Sequence, residues 1–216
     1  MKKYKNILFD LDGTITDSGE GIINSVIYSL HKFGINEIDM EKIKKFIGPP
    51  LKESFGEFYG MGLSEREDAV KYYREYYQEK GIYENKVYKG IEDLLQKLKN
   101  EGKKVILATS KPQFYAEKIL KYFKIDNLFV FVKGSNMDGS KTNKKEIIEE
   151  IISELELKRE ETIMVGDRSY DIAGAKACKI KSIGVLYGYG SREELEMEKA
   201  DYIIENVEEI YNIIKG

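Results

Sequence analysis

The chain carries a single cysteine, Cys178, and a single histidine, His31, among 216 residues. One cysteine excludes an intramolecular disulfide and any multi-cysteine metal site, and it fits a reducing compartment. With so few sulfur and imidazole donors, a metal centre here has to be built from oxygen, the donor of hard cations. Neither sign of charge is in excess: 35 Lys and Arg stand against 38 Asp and Glu, a net charge of −3. No surplus of cations exists to neutralise a phosphate backbone, which excludes the simplest mode of nucleic-acid binding. No apolar run approaches the roughly 20 residues that span a bilayer, so no membrane partner is expected. The opening Met1-Lys2-Lys3-Tyr4-Lys5-Asn6 passes directly into a short apolar segment ending in acids, a pattern that fits no secretory leader. A cytoplasmic location is the expectation. What is present, 42% hydrophobic and 34% charged residues, suits one α/β core with room for a small inserted domain.

Short, unbroken apolar runs recur at Ile7 to Phe9, Val105 to Ala108, Leu128 to Val132, Thr162 to Val165 and Ser182 to Leu186. Runs without alternation read as strands covered on both faces. Between them, residues 91–101, 113–122, 143–155 and 171–178 place apolar side chains at helical spacing. In the first of these, Ile91, Leu94, Leu95 and Leu98 form one face, and Gly102 follows as a cap. Strand and helix in alternation predict a doubly wound α/β domain with a parallel sheet.

Residues 17–88 break the alternation. They hold no convincing strand but several helical stripes, among them Ile22, Ile23, Val26, Ile27, Leu30 and Phe33, ended by Gly34. Ser64 and Glu67 read as a capping box heading a helix to Lys80. A segment this long is no ordinary loop. The expected organisation is a core from 1–16 and 89–216 with an α-helical domain, 17–88, inserted.

Acids gather at strand ends. Asp10 and Asp12 follow the first strand in Phe9-Asp10-Leu11-Asp12-Gly13-Thr14, and Asp167 and Asp171 follow another in Val165-Gly166-Asp167-Arg168-Ser169-Tyr170-Asp171. Two carboxylates two residues apart repel each other, and a divalent cation such as magnesium relieves the repulsion. All strands of an open parallel sheet end at one edge, where ligands bind, so these acids can converge. A third strand end, Ala108-Thr109-Ser110-Lys111, offers hydroxyls and amides near a helix start, which suits an anion such as phosphate. No Gly-x-Gly-x-x-Gly follows the first strand, which argues against a dinucleotide-binding oxidoreductase.

Asp10-Leu11-Asp12-Gly13-Thr14, Thr109-Ser110, a lysine near 144, and Gly166-Asp167 with Asp171 resemble, in order, the four motifs of the haloacid dehalogenase superfamily. The resemblance spans essentially the whole chain. The second acid of the Asp-x-Asp-Gly-Thr form is similar to the phosphotransferases of that superfamily and not to its dehalogenases. The resemblance implies that Asp10 attacks phosphorus and that Asp12 serves as general acid and then base. It implies that Ser110 and a lysine hold the transferred phosphoryl group. Magnesium is implied on the carboxylates of Asp10 and Asp167 and the backbone carbonyl of Asp12, with Asp171 orienting these ligands. Lys141, Lys144 and Lys145 all stand open for the lysine. Lys144 precedes a helix with Ile147 and Ile148 on its buried face, as the family's lysine does, but the proline that often follows that lysine is missing.

The inserted helices resemble the superfamily's small helical cap. Phe46-Ile47-Gly48-Pro49-Pro50-Leu51 is the candidate substrate-facing loop, with Gly48 and Pro49 at its turn and Lys52 as a cation for a second acidic group. Thr109, Ser110 and Lys111 complete the candidate substrate contacts. The implied activity is a phosphatase of small phosphorylated metabolites, most like phosphoglycolate phosphatase, acting as monomer or homodimer. The alternatives are a 5′-nucleotidase, a phosphomutase of the β-phosphoglucomutase kind, and a non-catalytic phospholigand-binding protein. Plainer roles exist for the same residues: helix caps for Asp10, Asp12, Ser110 and Asp171, cap packing for Tyr72, Tyr73, Tyr76 and Tyr77, surface for His31, and a packed helix end for Cys178.

Overall fold

In chain order the computed structural model runs β1 (Asn6–Phe9), β2 (Thr16–Asp17), α1 (Gly19–Lys32), α2 (Met40–Lys44), α3 (Leu51–Tyr59) and α4 (Leu63–Tyr76). A π-helical turn, Tyr77–Gly81, then precedes β3 (Lys86–Val87), α5 (Ile91–Asn100), β4 (Lys104–Pro112), α6 (Gln113–Tyr122) and β5 (Phe131–Ser135). The remainder is α7 (Lys144–Glu154), β6 (Thr162–Gly166), α8 (Ser169–Ala177), β7 (Lys181–Val185), α9 (Arg192–Met197), β8 (Tyr202–Ile204) and α10 (Val207–Lys215). Residues 4–36 and 39–215 are described; Met1 to Lys3, where the sequence suggests no leader, lie outside them. Packing divides the chain into two units, residues 1–16 with 87–216, and residues 17–86. No described helix is long and apolar enough to cross a membrane.

The larger unit is built on a parallel six-stranded sheet of order β5-β4-β1-β6-β7-β8. From β1 the chain moves outward through β4 to β5, then returns to the opposite side of β1 with β6. The order therefore reverses at β1 and β6, the position at which such sheets open a crevice beyond their strand ends. Every residue of β1 and β6 is buried, which is why neither alternates. Leu8, Ile106 and Met164 of adjacent strands share one face and pack against Ile147, Ile148 and Ile151 of α7 and Ala175 of α8. Fully burying each large aliphatic side chain is worth about 1.5–3 kcal/mol, which fixes α7 and α8 against the sheet.

Three sequence expectations shift. The strand expected at 128–132 lies at 131–135, because Leu128 is buried in a 3₁₀ turn, Asp126–Leu128, and Val130 is exposed. The strand bearing Ser110 continues to Pro112, so α6 starts at Gln113 and Ser110 caps no helix. α4 is headed not by Ser64 and Glu67 but by Gly62, whose N–H donates to the Glu65 carboxylate at 2.7 Å. β8, α9 and α10 carry no sequence expectation; β8 has three residues, too few to display a pattern.

The smaller unit is helical. Ile22, Val26 and Leu30 of α1 are buried, and Ser29 Oγ donates to the Ala69 carbonyl of α4 at 2.8 Å. Tyr73 and Tyr77 are buried and stacked at 5.4 Å, while Tyr72 meets Phe33 edge-on. Phe46 packs against Phe55 and Phe58 with ring centroids 4.9 and 5.3 Å away. His31 is exposed.

Candidate active site

Register brings the strand-end acids together. Phe9 pairs with Leu107 of β4 on one side and Val165 of β6 on the other, and the Asp10 N–H donates to the Val165 carbonyl at 2.9 Å. Asp10 therefore leaves β1 beside Asp167, which leaves β6. Carboxylate oxygens of Asp10, Asp167 and Asp171 lie within 4.8 Å of one another. Gly13 permits this approach: it has φ +82°, and a Cβ there would overlap the Asp167 carboxylate.

Lys144 is the cation of the cluster. It heads α7, where Asn143 accepts the Lys145 N–H at 2.9 Å and so fixes the first turn. Its ammonium lies 2.9 Å from Asp10 Oδ1 and 2.8 Å from Asp171 Oδ1, and donates to the Ala108 carbonyl at 2.9 Å. Of the other two lysines the sequence leaves open, Lys141 pairs with Glu150 at 2.6 Å and Lys145 is exposed. Burial alone would lower the Lys144 pKa; the Asp10 and Asp171 carboxylates outweigh it, and the pKa is raised, so the ammonium stays charged. Asp171 is shifted up chiefly by burial, against the pull of Lys144. Asp167 lies well above the usual carboxylate range, first through burial and then through Asp171 and Asp10.

Of the three buried or half-buried carboxylates, Asp10 and Asp171 share the Lys144 ammonium while Asp167 does not reach it, and both oxygens of Asp171 are already engaged, one by Lys144 and one by the Arg168 N–H at 3.2 Å. A hard cation fits beside Asp10 and Asp167: the donors are all oxygen, an Asp167 oxygen that accepts one hydrogen bond keeps a further lone pair, and the cation's charge relieves the repulsion that, after burial, raises Asp167. Asp171 stands inside this carboxylate group, although the sequence gives it an orienting role, and its link to Arg168 also caps α8. The Asp12 side chain stands outside the group. Its two oxygens take the Lys111 ammonium at 3.0 and 2.8 Å, with both side chains largely buried.

Lys111, which the sequence offers as a substrate contact, is ion-paired with Asp12. Thr109 is buried and its hydroxyl accepts the Lys111 N–H at 3.2 Å, holding the strand end, while Ser110 beside it is half-buried. Gly48 has φ +110° and Pro50 leads into α3, making a rigid bend within the helical unit. Lys52 there pairs with Glu67 at 3.4 Å, both exposed. Cys178 is buried at the end of α8, with its thiol 3.5 Å from the Lys145 carbonyl; burial pushes it up to about 12.

Sequence reading misses the groups that hold Asp167. One oxygen accepts the Tyr189 N–H at 2.8 Å, and the other accepts the Thr14 hydroxyl at 3.4 Å. Glu194 of α9 accepts the Ser169 N–H at 2.7 Å and Arg168 Nε at 3.0 Å, tying down the turn after Asp167. The available signal was the alternation Tyr187-Gly188-Tyr189-Gly190 just past an apolar run.

The profile of haloacid dehalogenase-like hydrolases matches residues 7–185, from β1 to the end of β7. The chain belongs to the haloacid dehalogenase-like hydrolase family. It is a phosphoric monoester hydrolase of that family; its relatives include proteins named as a 5′-nucleotidase, as pyrophosphatases and as a tyrosine-protein kinase. A 5′-nucleotidase of Pseudomonas aeruginosa is 39% identical over 99% of this chain and 97% of its own. The pyrophosphatase PpaX of Bacillus mycoides is 30% identical over 98% of this chain and 97% of its own. Among solved structures, one described as a predicted phosphatase from Clostridium acetobutylicum is 46% identical with a TM-score of 0.94, covering 98% of both chains.

Proposed function

We propose that this phosphatase is magnesium-dependent and hydrolyses small phosphomonoesters through an aspartyl-phosphate on Asp10. The observation that carries the reading is the group of Asp10, Asp167 and Asp171 around Lys144 at the switch point of the sheet. An Asp10 carboxylate oxygen attacks phosphorus while the bond from phosphorus to the leaving oxygen breaks. Asp12 delivers a proton to that oxygen. Asp12 then takes a proton from water, whose oxygen attacks phosphorus, and the bond to Asp10 breaks to release phosphate. Lys111 fixes where the Asp12 carboxylate stands during both transfers. Lys144 and the Ser110 hydroxyl hold the phosphoryl oxygens, whose charge needs preplaced donors. Asp10, Asp167 and the Asp12 carbonyl would hold the magnesium, which supplies positive charge to the phosphoryl group.

For the leaving group, nucleoside monophosphates have the stronger support, from the whole-length likeness to a 5′-nucleotidase. Phosphoglycolate, favoured by the sequence resemblance, rests on Lys52 as a cation for a second acidic group, while the Gly48-Pro49 turn resembles those of both substrate classes. Hydrolysis of p-nitrophenyl phosphate with magnesium, lost with EDTA and in Asp10→Asn, tests the chemistry. Ranking nucleoside monophosphates, phosphoglycolate and pyrophosphate by kcat/KM tests the substrate class; phosphoglycolate leading by tenfold would reverse it.

A further inference from the structure

Asp167 is held from two sides by segments far apart in sequence. On one side stands the turn after β1: Gly13 lies against the carboxylate, and the Thr14 hydroxyl donates to Oδ1. On the other stands the loop after β7: the Tyr189 N–H donates to Oδ2. The two segments are also tied to each other, because Tyr187 Oη donates to the Thr14 carbonyl at 3.0 Å. Tyr187 is itself held by Tyr88, with ring centroids 5.0 Å apart, and burial with the nearby Asp167 charge raises its pKa, so its hydroxyl stays a donor. Gly188 lies between the two tyrosines, where a Cβ would overlap the Gly13 carbonyl and the Asp167 side chain.

We infer that Tyr187, Gly188 and Tyr189 form a positioning clamp that presets the Asp167 carboxylate for the cation, and so set the affinity of the site for magnesium. The inference rests on the proposed cation at Asp10 and Asp167. Physically, the clamp carries the cost of ordering a carboxylate among like charges before the cation arrives, and it uses donors that leave that carboxylate anionic when the cation is bound. Partners one shell out from a metal are commonly worth about 10–100-fold in affinity. Tyr187 reaches the carbonyl of Thr14, whose hydroxyl bonds Asp167, and Gly188 packs on the Asp167 side chain itself, so both act on this carboxylate by position.

The test is calorimetric titration of the full chain with magnesium chloride, without substrate. Tyr187→Phe removes one hydroxyl and should weaken magnesium binding by about threefold to tenfold. Gly188→Ala should weaken it by tenfold or more, and its phosphatase rate should recover as magnesium is raised, which a general packing defect would not do. Should Gly188→Ala fail to fold, Tyr187→Phe decides alone. Folded variants with wild-type magnesium affinity overturn the clamp while leaving the cation reading intact. A wild type that shows no magnesium binding overturns the cation reading, and the clamp with it.

Discussion

Lysines in the two units show how differently a cation can be placed. In the sheet unit, Lys144 is 4% exposed, with two carboxylates and a carbonyl within 2.9 Å. In the helical unit, Lys52 is 48% exposed and meets one exposed glutamate at 3.4 Å. Desolvation makes the first arrangement stringent: each buried charge needs its partners, and their positions follow from strand register. The second is screened by water and constrains little. The charged groups of the sheet unit are therefore fixed by their partners, whereas Lys52 of the helical unit is held by little.

Substitutions can break that contrast, and the largest effect is expected at Asp10. Asp10→Asn should lower p-nitrophenyl phosphate turnover by about 10⁴-fold or more, as loss of a nucleophile does. Asp12→Asn should cost about 10²–10⁴-fold, the range of general acid–base catalysis, with the fold intact by circular dichroism. Lys144→Met should lower the rate by about 10²–10³-fold through lost charge stabilisation. It should also destabilise the protein by about 3–5 kcal/mol in urea titration, because Asp10 and Asp171 lose their counter-charge. Lys52→Ala, by contrast, should move stability by less than about 1 kcal/mol. A large stability loss there would erase the contrast.

Cys178 gives no effect at neutral pH and a defined sign at alkaline pH. Its thiol pKa in the folded protein, about 12, exceeds the ordinary value of 9.0. Unfolded chains release the proton first, so this group leaves stability unchanged below about pH 9 and weakens it as pH rises toward the folded value. Cys178→Ala should flatten that alkaline decline. The native thiol should also resist iodoacetamide at pH 8 and react once urea unfolds the chain.

How much of this could be read from the sequence depends on burial. β1 and β6, buried along their whole length, stand out as apolar runs, and the acids at their ends mark the site. β5, at the sheet edge, contains Lys133, Gly134 and Ser135 and is displaced from the apolar run that precedes it. The sequence shows Lys111 as a cation at a strand end but does not show its pairing with the Asp12 carboxylate, because the two are far apart along the chain. The hold on Asp167 comes partly from the backbone N–H of Tyr189, a donor that every non-proline residue carries. No side-chain pattern could announce it; only the neighbouring glycines, which let the loop approach, left a trace.

The most direct test of the central claim is the mass of the peptide containing Asp10 after acid quench of a steady-state reaction with p-nitrophenyl phosphate and magnesium. A phosphoryl adduct on Asp10, absent without magnesium and absent in Asp10→Asn, is the result expected. An active enzyme whose Asp10→Asn variant turns over at the wild-type rate, with no adduct at position 10, would contradict it.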